Sequence, residues 1–291
     1  MVSNFMPRSS RCPPAPYRCH SLAILYVIFR CEQHWDVVIK NMAHKYGPLF
    51  TFWLGPKPFI FITDIERGRR VYGMNEFAGR PDSYFGSQLS NDRFSDVVFT
   101  DYGPKWEALR RVAHSAVQKF ATNDRLIYLT SDCVDRTVKL MIEKEGIGSP
   151  FSPLDYIYHL FLNLLATSAF GRSYEMEDKE YKQIRYVLRD FGREAGNRFM
   201  LWEFSSLIRL WDRKLVRKQR QIIEDVMALI ADKYRTHSRD HSDAIERDFC
   251  DALISAKNDA LRDGKESAPY LTDQNLAMII YDLFFAGNDT T

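Results

Sequence analysis

No apolar run in the 291 residues is long enough to cross a membrane as a helix. The longest near the front, Leu22 to Phe29, has eight residues, and a spanning helix needs roughly 20. Arg11 and Arg18 precede it, but Arg30-Cys31-Glu32 follows where a secretory signal needs small residues for cleavage. Cysteines are few: Cys12, Cys19, Cys31, Cys133 and Cys250 form an odd, scattered set with no Cys-x-x-Cys. Cys19, His20, Cys31 and His34 match no zinc spacing. Such thiols read as reduced and intracellular. Charge of one sign is also lacking. Forty Lys and Arg face 38 Asp and Glu, a net charge of +2, so there is no global drive towards nucleic acid. P-loop, Gly-x-Gly-x-x-Gly, Gly-x-Ser-x-Gly and His-Glu-x-x-His motifs are all missing. With 45% apolar and 27% charged residues, the composition is that of an ordinary globular chain.

What is present is mostly helix signal. Pro7, Pro13, Pro14 and Pro16 break the first 20 residues. Trp35, Val38, Ile39 and Met42 recur at helical spacing within 32–46, and Gly47-Pro48 stops that helix. Leu49–Leu54 and Phe59–Thr63 read as a β-hairpin split by Gly55-Pro56-Lys57-Pro58. Asp64 suits the N-cap of a helix running to about Met74. Residues 75–103 read as a long loop whose aromatics, among them Tyr84, Phe85, Phe94 and Phe99, favour a packed, ligand-facing role. Helices are then expected over about 104–121, 125–145, 153–170, 179–195, 207–238, 246–262 and 273–291. The fold class is mainly α (α+β), a small β-hairpin followed by a large helical body.

Two segments carry chemistry. Trp106 and Arg110 lie at i and i+4, so one helix face presents an indole N–H beside a guanidinium, a donor pair suited to a carboxylate or phosphate. The same spacing also fits a core stripe of Trp106, Leu109, Ala113, Ala116 and Phe120 with Arg110 on the surface. The last segment, Met278 to Thr291, is apolar on most sides and then turns to Ala286-Gly287-Asn288-Asp289-Thr290-Thr291. Gly and Thr weaken a buried helix there and leave room for a small ligand or water, with Asp289 beside Thr290 placed to relay protons. An ordinary helix end, with Gly287 and Asn288 as cap residues, fits equally. Arg213, Lys214, Arg217, Lys218 and Arg220 read as a solvated stripe, and His114 and His159 as packed or capped side chains.

Taken in order, these features resemble the N-terminal half of a cytochrome P450, a haem-thiolate monooxygenase. Lys45-Tyr46-Gly47-Pro48-Leu49-Phe50 with Phe52-Trp53-Leu54-Gly55 is similar to the family's first helix and hairpin. Phe77-Ala78-Gly79-Arg80-Pro81 is similar to the start of its substrate-contacting loop. Trp106-x-x-x-Arg110 matches its C-helix motif. Asp248-Phe249-Cys250-Asp251-Ala252-Leu253-Ile254 and Ala286-Gly287-Asn288-Asp289-Thr290-Thr291 match the approach to, and the oxygen-activation turn of, its I-helix. The texture is closest to animal microsomal members of the drug-metabolising and steroid 17α-hydroxylase-like groups.

The resemblance implies roles. Trp106 and Arg110 would bind propionates of haem b. Ala286 and Gly287 would line the oxygen groove, Thr290 would donate to dioxygen or its water, and Asp289 would help deliver protons. Tyr84, Phe85, Phe99, Phe284 and Phe285 would border an apolar pocket for a steroid-like or xenobiotic-like substrate. NADPH would supply electrons through cytochrome P450 reductase, with Lys105 and Arg111 either on the basic face receiving it or simply solvated. The full enzyme would sit at the endoplasmic reticulum membrane; the chain as given would be cytoplasmic. Residues 1–31 read as a divergent segment, and 32–291 as the front of one P450 domain. No cysteine sits in a Phe-x-x-Gly-x-x-x-Cys-x-Gly loop, so no metal ligand is assigned, and the polypeptide is expected to be incomplete and inactive. The final helix would then leave Phe284 and Phe285 partly exposed. The rival reading is a non-catalytic helical module that holds a lipophile or competes for the reductase.

Overall fold

The computed structural model describes residues 35–54, 57–91, 93–121, 124–148, 150–190, 194, 198–242 and 246–289. Its described residues fall into two compact units, one drawn from Met1–Phe85 and Gly196–Asp212, the other from Gly86–Ala195 and Arg213–Thr291.

The first unit opens with α1 (Trp35–Tyr46), which Gly47 ends at a positive φ of 92°. Strands β1 (Leu49–Leu54) and β2 (Lys57–Ile62) pair antiparallel, Leu49 opposite Ile62 and Leu54 opposite Lys57. Lys57 and Pro58 therefore belong to the strand and not to the connection; Gly55 and Pro56 lie outside the described residues. Pro58 is tolerated because a two-stranded sheet has only edges, where a missing N–H costs no ladder bond. Alternation sends Phe50 and Phe52 to one face, where they are buried with Leu201 and flanked by Ile39, Met42 and Phe204. Asp64 caps α2 (Ile65–Tyr72) as expected, accepting a hydrogen bond from the Arg67 N–H at 2.7 Å. Helices α8 (Arg198–Phe204) and α9 (Ser206–Trp211) complete this unit. Trp202 is fully buried, with its indole N–H on Asp212 at 2.8 Å.

Helix α3 (Tyr84–Leu89) interrupts the expected 75–103 loop, and a single 3₁₀ turn covers Asn75–Phe77. The second unit then holds α4 (Pro104–Ala121), α5 (Asp124–Glu145), α6 (Leu154–Phe170), α7 (Lys179–Arg185), α10 (Arg213–Arg239), α11 (Phe249–Arg262) and α12 (Asp273–Asp289). Most of these match the expected spans. The helix expected over 179–195 instead passes into a π turn at Tyr186–Asp190. The one expected over 207–238 breaks at Asp212 into α9 and α10. The one expected from 246 starts later, because the Asp248 side chain accepts from the Asp251 N–H at 3.0 Å and fixes the N-terminus there.

Helix α12 is the apolar centre of this unit. It packs on α10, α6, α4 and α11. Leu276 through Asp282 are all buried. Phe284 is 2% exposed and stacks on Phe170, with ring centroids 6.1 Å apart. The expectation that Phe284 is partly exposed is thus corrected: α6 supplies the partner that covers it. Phe285 is half-buried and stacks on Tyr281 at 6.5 Å. Arg213, Lys214, Arg217 and Lys218 are exposed as expected, whereas Arg220 turns inward to the Ser87 carbonyl oxygen and Glu224. Among the described residues, no helix is long and apolar enough to cross a membrane.

Candidate functional site

The segment 90–100 is held by its own side chains. Asn91 Oδ1 accepts from the backbone N–H groups of Arg93 and Ser95, both at 3.1 Å, which turns the chain through Phe94 at φ 44°. Buried Asp96 accepts from Ser90 Oγ and from the N–H groups of Phe99 and Thr100. Thr100 Oγ1 donates to the Phe94 carbonyl oxygen. Gly86 faces Phe99 so closely that a Cβ there would sit 2.9 Å from the ring. Phe99 is thereby wedged against α3.

This knot presents the Val97 carbonyl oxygen to Trp106 on the first turn of α4, and the indole N–H donates to it at 3.0 Å. Tyr102 meets the same indole edge-on at 5.7 Å. Arg110, one turn later, lies over the indole with its guanidinium carbon 5.2 Å from the ring centroid. Arg110 is exposed, and among the described residues no carboxylate pairs with it. The donor pair is therefore unequal: the guanidinium is available, while the indole N–H is engaged. Trp106 is only half-buried; the buried stripe of α4 runs through Ala108, Leu109 and Ala116. Lys105 donates to the Arg93 carbonyl oxygen at 2.9 Å, and Arg111 is exposed.

One residue missed in the sequence ties the knot to α12. Asp282, 7% exposed, accepts from the Val97 N–H at 2.7 Å and also from Val98. Burial, then the nearby Asp96 charge, push its carboxyl well above the ordinary range, against the pull of those two amides. The sequence signal was a lone carboxylate in the apolar run Met278–Phe285.

At the end of α12, Ala286 is exposed after an almost unbroken buried run, and Gly287 is half-buried. A Cβ on Gly287 would lie 3.2 Å from Leu165, so the glycine lets α6 approach closely. Asp289 is the last helical residue and its side chain is not described; Thr290 lies outside the described residues. Phe99, Trp106, Arg110, Phe284, Phe285, Ala286 and Gly287 all belong to the second unit, and Tyr84 and Phe85 to the first. In the first unit, the Phe85 N–H and Ser83 Oγ donate to Glu203 at 3.0 and 3.1 Å, and Arg209 lies 4.3 Å over the Tyr84 ring.

Two cysteines are described, and neither forms a disulfide. Cys133 and Cys250 are buried, and burial pushes both thiols up. Cys12, Cys19, Cys31, His20 and His34 lie outside the described residues. Among the described residues no group of three His, Cys, Asp or Glu side chains is placed to hold a metal. His159 is buried, with Nε2 2.8 Å from the Tyr174 carbonyl oxygen. His114 is exposed, contrary to expectation.

The chain also resembles known proteins. A family model described as cytochrome P450 matches residues 13–291, starting ahead of Trp35, where the motifs begin. Cytochrome P450 1A1 of Rattus norvegicus is 25% identical over 306 residues, covering 100% of this chain and 56% of the relative. Steroid 17-alpha-hydroxylase/17,20 lyase of Oryzias latipes is 26% identical over 267 residues, covering 88% and 50%. The chain spans about half the length of these curated relatives. A solved zebra fish cytochrome P450, in a structure with progesterone, shares the fold with a TM-score of 0.71 at 22% identity, over 89% of this chain and 57% of that one. A hairpin-then-helices order, a tryptophan and arginine on one face of α4, and a family model covering all but the first dozen residues agree: the chain belongs to the cytochrome P450 family.

Proposed function

We propose that this chain forms the front part of a haem monooxygenase that inserts one oxygen atom of O2 into a lipophilic small molecule of steroid or xenobiotic type. The family implies haem b, which when bound supplies dioxygen activation, with electrons from NADPH through a reductase. The fit to this chain rests on Arg110. Its exposed guanidinium, without a carboxylate partner among the described residues and stacked on Trp106, is the charge complement of a haem propionate. Trp106 serves as the ring platform, and its N–H reaches a propionate only by releasing the Val97 carbonyl oxygen.

The other roles follow from chemistry. Ala286 and Gly287 have the smallest side chains on α12's last turns; Ala286 is exposed, while the room at Gly287 is taken by Leu165 of α6. Asp289 and Thr290 provide a carboxylate and a hydroxyl to hold and pass a proton. Tyr84 and Phe85 of the first unit are each suited to an apolar contact of their own. Within the second unit, Phe99 and Phe285, both half-buried, are apolar lining for a substrate. Phe284 acts behind them, filling the space against Phe170. The steroid assignment draws on the Oryzias latipes relative. Association with the endoplasmic reticulum membrane draws on Leu207, Leu210 and Trp211, which are 77, 65 and 89% exposed on α9, with exposed Arg213 and Lys214 next in sequence.

None of the five cysteines lies in a Phe-x-x-Gly-x-x-x-Cys-x-Gly loop, so on this reading the 291-residue polypeptide alone lacks the axial ligand and is inactive. The test is to add haem, reductant and carbon monoxide to the purified chain. The expected result is haem binding that weakens at least several-fold in Arg110→Ala, without a thiolate-type Soret band. Unchanged binding in that variant refutes the propionate assignment, and a thiolate band refutes the inactivity. A chain that ignores haem yet binds lipophiles supports the non-catalytic reading.

A further inference from the structure

The last turn of α10 carries His237, whose ring sits between two acceptors. Nε2 lies 2.9 Å from Asp248 Oδ2, and Nδ1 lies 3.3 Å from the Lys233 carbonyl oxygen. An ionised carboxylate and a carbonyl oxygen only accept. A neutral imidazole carries one N–H, so either tautomer sets a bare nitrogen lone pair against an oxygen. Only the imidazolium donates to both, so the surroundings are shaped for the charged ring.

The carboxylate has matching needs. Asp248 is 4% exposed, and its oxygens divide two tasks. Oδ1 accepts from the Asp251 N–H at 3.0 Å and caps α11, while Oδ2 faces His237. Taking the proton from His237 leaves a buried charge without its cation, which is costly. The other charges of this joint are matched among themselves. Arg247 donates to both oxygens of Asp251, at 2.7 and 2.9 Å, and His241 Nδ1 lies 3.4 Å from the same group. The Lys233 ammonium turns to Glu180 at 2.9 Å, and Glu246 pairs with Lys119 of α4. Burial pushes the neighbouring Cys250 thiol up, so it carries no charge. Asp248 first raises the His237 ring above its ordinary value, against burial and the Arg247 charge.

From α6 the facing group is an uncharged ring. Phe170 lies 5.6 Å from His237, centroid to centroid, and a cation within about 6 Å of an aromatic centroid is attracted to it. Phe170 in turn stacks on Phe284 of α12. Three rings therefore run in contact from α10 through α6 to α12.

We infer that His237 is a proton-operated clasp: as the imidazolium it holds the end of α10 to the start of α11, and loss of its proton loosens that joint and shifts Phe170 against Phe284. The clasp involves neither haem nor substrate, so it stands or falls separately from the function proposed above.

A raised ring keeps the clasp closed below pH 6.5, its ordinary value, and opens it as pH rises through the folded-state value. The purified 291-residue chain, isotopically labelled on histidine and phenylalanine, is titrated by NMR. His237 is expected to titrate above 6.5, with the ring signals of Phe170 and Phe284 moving at the same midpoint. Hydrogen exchange, corrected for its intrinsic pH dependence, is expected to show the α10–α11 joint losing protection through that midpoint while α5 does not. Asp248→Asn keeps an oxygen to cap α11 but removes the charge, and is expected to lower the His237 midpoint and abolish the step in protection. His237→Gln, which does not titrate, is expected to abolish the step as well. The titration of the parent chain decides the matter even where a variant folds poorly. A His237 midpoint at or below 6.5, a step that survives both substitutions, or Phe284 signals that ignore the midpoint overturns the inference.

Discussion

Replacing Asp282 separates the two effects that meet at this carboxylate. Its charge is costly, because the group is buried and faces Asp96. Its oxygens are valuable, because they satisfy the Val97 and Val98 N–H groups. Asp282→Ala and Asp282→Asn both remove the charge, so its relief cancels between them. They differ in that asparagine keeps a carbonyl oxygen for the amides and alanine does not. Each buried N–H left without an acceptor costs about 1–3 kcal/mol. With two such groups, Asp282→Ala is therefore expected to be less stable than Asp282→Asn by about 2–6 kcal/mol, with Asp282→Asn within about 1 kcal/mol of the parent. Urea unfolding followed by circular dichroism measures the difference. Hydrogen exchange should show Val97 and Val98 losing protection only in the alanine variant. The pH arm has a definite sign. A carboxyl raised in the folded state contributes stability that is present below the ordinary aspartate value, 3.8, and is lost as pH rises through the raised one. Asp282→Asn should flatten that decline. A gap below about 1 kcal/mol between the two variants would show that the amides find other partners and that the knot does not need α12.

Three further outcomes follow from the packing. Gly86→Ala should cost about 1–3 kcal/mol by pressing on Phe99, and adding Phe99→Leu should recover much of it in a double-mutant cycle of melting temperatures. His237 is held above its ordinary value first by its hydrogen bond to Asp248 at 2.9 Å, so the pair's stabilisation is present below pH 6.5 and is lost as pH rises through the raised value. His237→Gln should reduce that pH dependence in thermal melts between acidic and neutral pH. Gly287→Ala gains about 1 kcal/mol of helix propensity but crowds Leu165 at 3.2 Å, so its net effect should stay within about 1 kcal/mol; Gly287→Val should be clearly destabilising.

Local rules made much of this chain legible. Asp64 ahead of an amphipathic run announced α2, Gly47-Pro48 the end of α1, and alternation from Leu49 the hairpin. The apolar run from Met278 announced a buried helix. What escaped was non-local. Helix α3 has a weak pattern of its own; the Phe85 N–H at its start is met by Glu203, 118 residues away. The break at Asp212 accompanies a hydrogen bond to the buried Trp202 indole. Asp282 gave no hint of its partner, because the groups it binds are backbone amides 185 residues earlier, which carry no residue code.

The sequence by itself determined the order of elements, the family and the Trp106–Arg110 pairing, since spacing along a helix is enough to put i and i+4 on one face. Tertiary structure decided how that pairing can be used. It committed the indole N–H to Val97, left the guanidinium available, and buried Phe284 under Phe170. The reason is physical: a donor's availability depends on which acceptor the folded chain brings near it, and that is a property of distance in space, not along the sequence.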